Sequence, residues 1–221
     1  MIEIKAFCVN PLQENCYIVS DETGECAIID CGAWYDEEHK AVDNYITSHQ
    51  LTPTHLLCTH GHFDHIIGNG HLFDTFGIIP EIHNADAFLV NDINGQLRSM
   101  MGISASVSQP PTVRWLADGD IISTGVHLLK VMHTPGHTPG GVCFYCEQEN
   151  VLFSGDTLFR MSMGRTDFEG GSWQQLLTSL QTVLAPLPPE TKVYTGHGPM
   201  TTIKEEKLMN PYLKQTNHST I

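Results

Sequence analysis

Four side chains able to ligate a metal stand within six consecutive residues, His60-Gly61-His62-Phe63-Asp64-His65. Imidazole nitrogen suits zinc or iron, and carboxylate oxygen suits a terminal or bridging position. On a strand His60, His62 and Asp64 would share one face; on a short loop they can converge on one point. Chance clustering on a solvated loop does not account for four ligands at this density. Three further turns carry the same residue types beside glycine: His133-Thr134-Pro135-Gly136-His137, Ser154-Gly155-Asp156 and Thr195-Gly196-His197. Glycine there lets the chain turn sharply and lets an ion come close. Each turn alone is weak evidence, but together with the first loop they form a set. His60, His62, Asp64, His65, His137, Asp156 and His197 make seven ligand-type side chains. One ion uses four to six, whereas two ions about 3.5–4 Å apart that share a carboxylate can use seven.

The elements around these turns are those that would position them. Thr54-His55-Leu56-Leu57-Cys58, after Pro53, reads as a short buried strand, so the ligand loop leaves its carboxyl end. A helix through Phe76, stopped by Gly77, follows the loop. Upstream, three strands are expected within residues 2–30, the second and third joined by the turn Asp21-Glu22-Thr23-Gly24, and then an amphipathic helix over 36–49. Downstream come a short strand at 78–82, a helix capped by Asn84, strands at 121–122, 126–132, 142–145, 151–153 and 193–195, and helices at 173–184 and 202–209. Residues 91–118 carry no clear period and read as a loop or lid. An αββα sandwich accounts for this order, and no Pro/Gly/Ser-rich linker divides the chain, so residues 1–221 are expected to form one domain.

With 221 residues and 41% hydrophobic content, the chain can build a full core. Its formal net charge of −14 argues against a nucleic-acid backbone or an anionic membrane as partner, since both require cationic surface. No secretory signal and no apolar run of membrane-spanning length is visible, and seven scattered cysteines fit buried free thiols in a reducing cytoplasm. Cys143 and Cys146 have CxxC spacing but no second pair nearby. His55, His71, His83 and His127 have no partner evident from sequence.

The first loop with TPGHT, SGDTLF and TGHGP, in this order and spacing, resembles the metallo-β-lactamase fold superfamily, and within it the glyoxalase II-type thioester hydrolases in their short form. The likeness runs from Asn10-Pro11 to Asn210-Pro211-Tyr212. It implies two mixed β-sheets with helices on the outer faces. It also implies two divalent ions, zinc in the first place, with iron or manganese as alternatives. By motif, His60, His62 and His137 would hold the first ion, Asp64, His65 and His197 the second, and Asp156 would bridge. A hydroxide between the ions, oriented by Asp64, would attack a thioester or ester carbonyl. In this fold an aspartate at the position of Asp30 supports the ligand loop; His133 is assigned beside it as a supporting residue, not a ligand.

The resemblance weakens at the substrate pocket. Arg165 matches a cation of the glutathione-thioester hydrolases, but Asp167 and Pro199 stand where those enzymes have tyrosines, and their helical carboxy-terminal domain has no counterpart in this sequence. Arg165 is therefore either a substrate contact or a structural partner of Asp167 or Glu169. A small-molecule thioester or ester is the expected substrate. Rivals are a lactonase or esterase, a mononuclear iron persulfide dioxygenase with two histidines and one carboxylate, and a non-catalytic zinc or partner binder. RNA processing is disfavoured by the charge, and a flavodiiron reductase by the histidine, rather than glutamate, at position 62.

Overall fold

A computed structural model describes residues 1–213. The first sheet contains β1 (Glu3–Val9), β2 (Glu14–Ser20), β3 (Glu25–Ile29), β4 (Thr52–Leu57), β5 (Pro80–His83) and β6 (Arg114–Leu116), side by side in that order. Strands β1 to β3 pair antiparallel and β3 to β6 parallel. Parallel neighbours need crossovers, and helices supply them. These are α1 (Asp36–Ser48) before β4, α2 (Phe63–Ile66) and α3 (Asn69–Phe76) before β5, and α4 (Ala87–Asn91) and α5 (Ile93–Met101) before β6.

The second sheet contains β7 (Ile121–Thr124), β8 (His127–His133), β9 (Val142–Cys146) and β10 (Val151–Gly155), all antiparallel. A small hairpin, β11 (Leu158–Phe159) with β12 (Ser162–Met163), follows. Helix α6 (Trp173–Thr178) runs on as a π-helical turn, Ser179–Leu184. Then β13 (Lys192–Thr195) pairs parallel with β10, β14 (Thr201–Thr202) closes the edge, and α7 (Ile203–Met209) ends the described chain.

Strand periodicity explains the layering. In the first sheet Tyr17, Val19, Ala27, Ile29 and Leu57 point to the second sheet and meet Leu129, Val131, Phe144 and Phe153. The intervening Ile18, Ile28 and Leu56 point outward onto Val42 and Ile46 of α1 and Leu72 of α3. Likewise Cys143, Tyr145 and Leu152 face Leu176, Leu180, Leu184 and Ile203. Both faces of each central strand are buried, which is why these segments read as nearly continuous apolar runs. The architecture is the expected αββα sandwich. Cys143 and Cys146 lie in separate apolar clusters on the two sides of β9, so the CxxC spacing is a strand register and not a paired-thiol motif. Six cysteines are buried and Cys8 is exposed, all seven as free thiols.

Three stretches differ from the sequence expectation. Asn84 caps no helix: it lies inside a 3-10 turn, Asn84–Asp86, where the His83 side chain accepts from the Ala85 amide, and Asp86 directly precedes α4. Within residues 91–118, helix α5 and strand β6 replace part of the expected loop. Asp92 caps α5 by accepting from the Gly95 amide, and Gly102 in the left-handed region (φ 68°) ends it. The ligand loop itself holds a one-turn helix, α2, which carries Asp64 and His65.

Candidate metal centre

All four ligand-bearing turns open at one end of the sandwich. Strand β4 delivers Thr59, His60 and His62, and α2 turns Asp64 and His65 back over the same point. The loop after β8 brings His137, the turn after β10 brings Asp156, and the turn after β13 brings His197. Close approach requires glycine at two of these turns. A Cβ on Gly155 (φ 47°) would stand 2.2 Å from Thr59 Oγ1, and one on Gly196 2.3 Å from Asp156 Oδ1.

Six of the seven residues fall into two donor groups that could each hold a cation, His60, His62 and His137, and Asp64, His65 and His197; the seventh, Asp156, groups with His60 and His65, one from each. Asp156 lies between them. Its Oδ2 is 3.4 Å from His137 Nε2, while its Oδ1 is 3.3 Å from His65 Nε2 and 3.7 Å from His197 Nε2. Asp64 Oδ2 is 3.2 Å from His197 Nε2. Ligands about 2.1 Å from a tetrahedral ion stand about 3.4 Å from each other, which is the spacing found.

Ring tautomers test whether these residues fit a cation. His65 Nδ1 donates to Asp30 Oδ2 (2.9 Å), His137 Nδ1 to the Arg165 carbonyl (2.7 Å) and His197 Nδ1 to the Leu12 carbonyl (3.0 Å). A carbonyl or carboxylate oxygen only accepts, so Nδ1 carries a proton, and in the neutral ring each Nε2 presents a lone pair. His65 Nε2 and His197 Nε2 face each other at 3.3 Å, so with both rings neutral they meet lone pair to lone pair. His62 Nδ1 and His137 Nε2 are 2.9 Å apart. His60 Nε2, His62 Nε2 and Asp156 Oδ1 are buried without a hydrogen-bond partner. A bound cation resolves this clustering of lone pairs and orphaned atoms, so the donor set fits divalent metal.

Burial, reinforced by the surrounding imidazoles, holds His60 well below the ordinary histidine range, and pushes His62 down to about 3. Burial also opposes charge on His65, but Asp156, Asp64 and Asp30 outweigh it and raise that ring well above its usual value. His197 is raised too: burial opposes this, but its bond to Asp64 and the charge of Asp156 prevail. Asp64 and Asp156 are both lowered; burial resists, and His65 is the largest counterweight in each case.

The supporting residues sort cleanly. Asp30 is 2% exposed and accepts from the Thr59 amide (2.7 Å), Thr59 Oγ1 (2.7 Å) and His65 Nδ1. His133 touches no member of the donor groups; its Nε2 donates to the Pro139 carbonyl (2.9 Å) and its ring stacks on His83 at 4.3 Å. It braces the loop that carries His137. Arg165 makes a bidentate pair with Asp167 (2.7 and 2.6 Å) and lies 4.0 Å over the Phe168 ring, which in turn meets His62 edge-on. The structural alternative for Arg165 is thus present, at the mouth of the site. His55 and His127, partnerless by sequence, hydrogen-bond Glu81 and the pair Asp21 and Glu149.

Several residues with no sequence signal of their own hold the site. Asp86 accepts from Gly61 N, Thr138 Oγ1 and Gly140 N. Gln96 of α5 accepts from Phe63 N (3.0 Å) and donates to the Gly61 and Leu89 carbonyls. Asn10 donates to the Gly32 and Asp64 carbonyls. Glu14 is fully buried beside His65, and burial pushes its carboxyl well above the usual range.

Two adjoining cavities open on the donors. The inner one, about 350 Å³, is lined by His62, Asp64, His137, Asp156 and His197 together with Leu12, Phe63, Met100 and Met101. The outer one, about 660 Å³, extends past His62, Arg165 and Phe168 to Phe88, Asp92 and Glu169.

Known proteins resemble this chain in sequence and fold. An uncharacterised protein of Aquifex aeolicus is 39% identical over 95% of this chain and 96% of its own length. A Haemophilus influenzae protein named hydroxyacylglutathione hydrolase GloC is 34% identical over 96% of this chain and 98% of its own length. Among solved structures, BLEG-1, a B3 metallo-beta-lactamase, aligns with a TM-score of 0.88 at 36% identity, covering 96% of this chain and 100% of that one. TTHA1623 in a di-iron-bound form gives 0.84 at 35%, covering 95% and 100%. ETHE1 from Myxococcus xanthus gives 0.76 at 28%, covering 96% and 84%. The metallo-beta-lactamase superfamily description itself matches residues 9–197, from the end of β1 to the last histidine of the site, and the chain belongs to that superfamily.

Proposed function

We propose that this metal-dependent hydrolase cleaves a small acyl thioester to a carboxylic acid and a thiol, using two divalent ions, zinc in the first place. The observation that carries the reading is the pair of donor groups with Asp156 between them, one oxygen toward each. Ions held there would supply Lewis acidity and a water acidic enough to attack at neutral pH. The reaction adds water across the C–S bond: the acyl carbon gains oxygen, the C–S bond breaks, and the thiol leaves with a proton.

The chain's own groups prepare this step. Asp30, Leu12 O and Arg165 O hold His65, His197 and His137 with Nε2 turned inward. Asp64, which lines the inner cavity, would accept a hydrogen bond from the attacking water and so orient it. Leu12, Phe63, Met100 and Met101 offer an apolar wall for the acyl group.

The thiol portion would occupy the outer cavity, and there the charge balance disfavours an anionic peptide. The fork of Arg165 is already filled by Asp167, and Asp92 and Glu169 add two more carboxylates. Glutathione, with two carboxylates, therefore gains little from this wall. Likeness to a relative named for hydroxyacylglutathione supports the thioester class, while the wall supports tolerance toward the thiol.

The test combines elemental analysis with a comparison of kcat/KM for lactoylglutathione and for the same acyl group on a truncated thiol. The expected result is two ions per chain and a difference of less than about tenfold, near 1.4 kcal/mol of transition-state binding. A thousandfold preference for glutathione would overturn the open thiol site. Absence of turnover on both, with one iron and oxygen uptake in the presence of persulfide, would replace hydrolysis by the dioxygenase reading.

A further inference from the structure

The first donor group is assembled from two loops that leave different sheets. His60 and His62 flank Gly61 in the loop after β4, and His137 precedes Thr138 in the loop after β8. Roots of the two loops are joined by one backbone bond, from the Val142 amide to the Thr59 carbonyl (2.8 Å). Beside the ligands, the joint is a single carboxylate. Asp86 is 0% exposed. Its Oδ2 accepts from Gly61 N (2.9 Å) and Thr138 Oγ1 (2.8 Å), and its Oδ1 accepts from Gly140 N (2.6 Å). Both of its oxygens are committed to the backbone of a ligand loop.

We propose that Asp86 is a positioning residue that sets the separation of His60 and His62 from His137, and thereby the affinity of the first donor group for its ion. This rests on the two-ion reading above.

Three features support a local and specific effect. Contacts are tight on both sides: a Cβ on Gly61 would lie 3.2 Å from Asp86 Cβ, and one on Gly140 2.7 Å from an Asp86 oxygen, so neither loop can shift toward the carboxylate to make up for its loss. The chain direction is fixed as well, because Asp86 directly precedes α4, whose Leu89 Cβ would be 2.8 Å from a Cβ on Gly61. Gln96 of α5 then holds the Gly61 carbonyl and the Phe63 amide from the same side. The second donor group is held by other residues, Asp30 and Leu12, and Asp86 touches neither His65 nor His197.

The substitution Asp86→Asn probes this with little change of volume. Two of the three donors are backbone N–H groups, one facing each oxygen, and neither can turn into an acceptor. Whichever way the amide turns, its NH2 meets one of them, so one loop must move away. Affinity of each ion is measured in the fully loaded protein by competition with a chromophoric chelator, using cobalt(II), with imidazole resonances reporting which histidines are released. The expected result is a loss of about 10- to 100-fold for the ion at His60, His62 and His137, the range found when groups behind metal ligands are changed, with the other ion held as in the wild type. The milder Thr138→Val, which removes one bond and keeps both backbone bonds, should shift the same ion by less; it decides the matter if Asp86→Asn does not fold. Unchanged affinity in these variants, or equal weakening of both ions, overturns the proposal. A wild type that cleaves no thioester, together with the selective loss in the variants, removes the reaction and keeps this inference.

Discussion

Replacing Asp30 by asparagine should selectively weaken the ion bound by Asp64, His65 and His197, through a tautomer. Thr59 N–H can only donate and faces Oδ1 at 2.7 Å, so the amide oxygen must remain at that position. The amide nitrogen then stands where Oδ2 was, facing Thr59 Oγ1 and His65 Nδ1. The hydroxyl can rotate to accept. The imidazole has one way to accept, which is to give up its Nδ1 proton and carry it on Nε2 instead. That nitrogen is the one 3.3 Å from both Asp156 Oδ1 and His197 Nε2, and with a proton on it the ring cannot ligate. Changes to a group behind a ligand weaken metal binding by about 10- to 100-fold, or about 1.4–2.7 kcal/mol, and the tautomer argument places Asp30→Asn at the upper end. Fold stability should fall by less, because all three hydrogen-bonded contacts keep a partner, each losing the charge assistance of a carboxylate. The assay is ion content after dialysis against a graded chelator series, with 15N spectra of the imidazoles. An Asp30→Asn protein that keeps both ions at wild-type affinity, with its proton still on His65 Nδ1, would refute the reasoning.

Two other outcomes are expected. Asp156→Ala should lose both ions and nearly all turnover, whereas Asp64→Ala should empty mainly the second donor group; ion content and kcat on the same samples check this, and an Asp156 variant with both ions and near-normal turnover would contradict the bridge. On acidification the second ion should leave before the first, as followed by ion content across a pH series. Raised rings at His65 and His197 take up protons at higher pH and compete with the cation as pH falls, while His60 and His62, lowered by burial, take them up only at much lower pH. Release of the first ion at the higher pH would reverse the assignment.

The candidate ligands, which the structure brings together, were readable because metal chemistry restricts residue type, and because each group follows a segment that reads as a strand. Gly77 as a left-handed stop and the starts of α6 and α7, to within a residue, were readable for local reasons. Helix α5 was not. Its sequence Ile-Asn-Gly-Gln-Leu-Arg-Ser-Met-Met puts a glycine in the first turn, and only Asp92 accepting from that glycine's amide makes the start favourable. Asp86 and Gln96 were invisible for a different reason. Their importance lies in contacts with residues 25 to 54 and 33 to 35 positions away, and nothing in their own neighbourhoods marks them. The one-turn α2 was missed because four residues carry too little periodicity to read.

The clasp between the last ligand strand and the first hairpin has a consequence for how the protein is made. Thr195 O receives the Tyr17 hydroxyl (2.7 Å), Gly196 O receives the Asn15 amide (2.8 Å), and β13 enters the second sheet beside β10, which was synthesised some forty residues earlier. A growing chain therefore has His60, His62 and His137 available well before His197 exists. The first donor group could therefore assemble on a chain still open, whereas the second is complete only when β13 docks against both β10 and the amino-terminal hairpin. With two ions, loading would then follow the order of translation, and occupancy of the second donor group would be a chemical record that the polypeptide has closed.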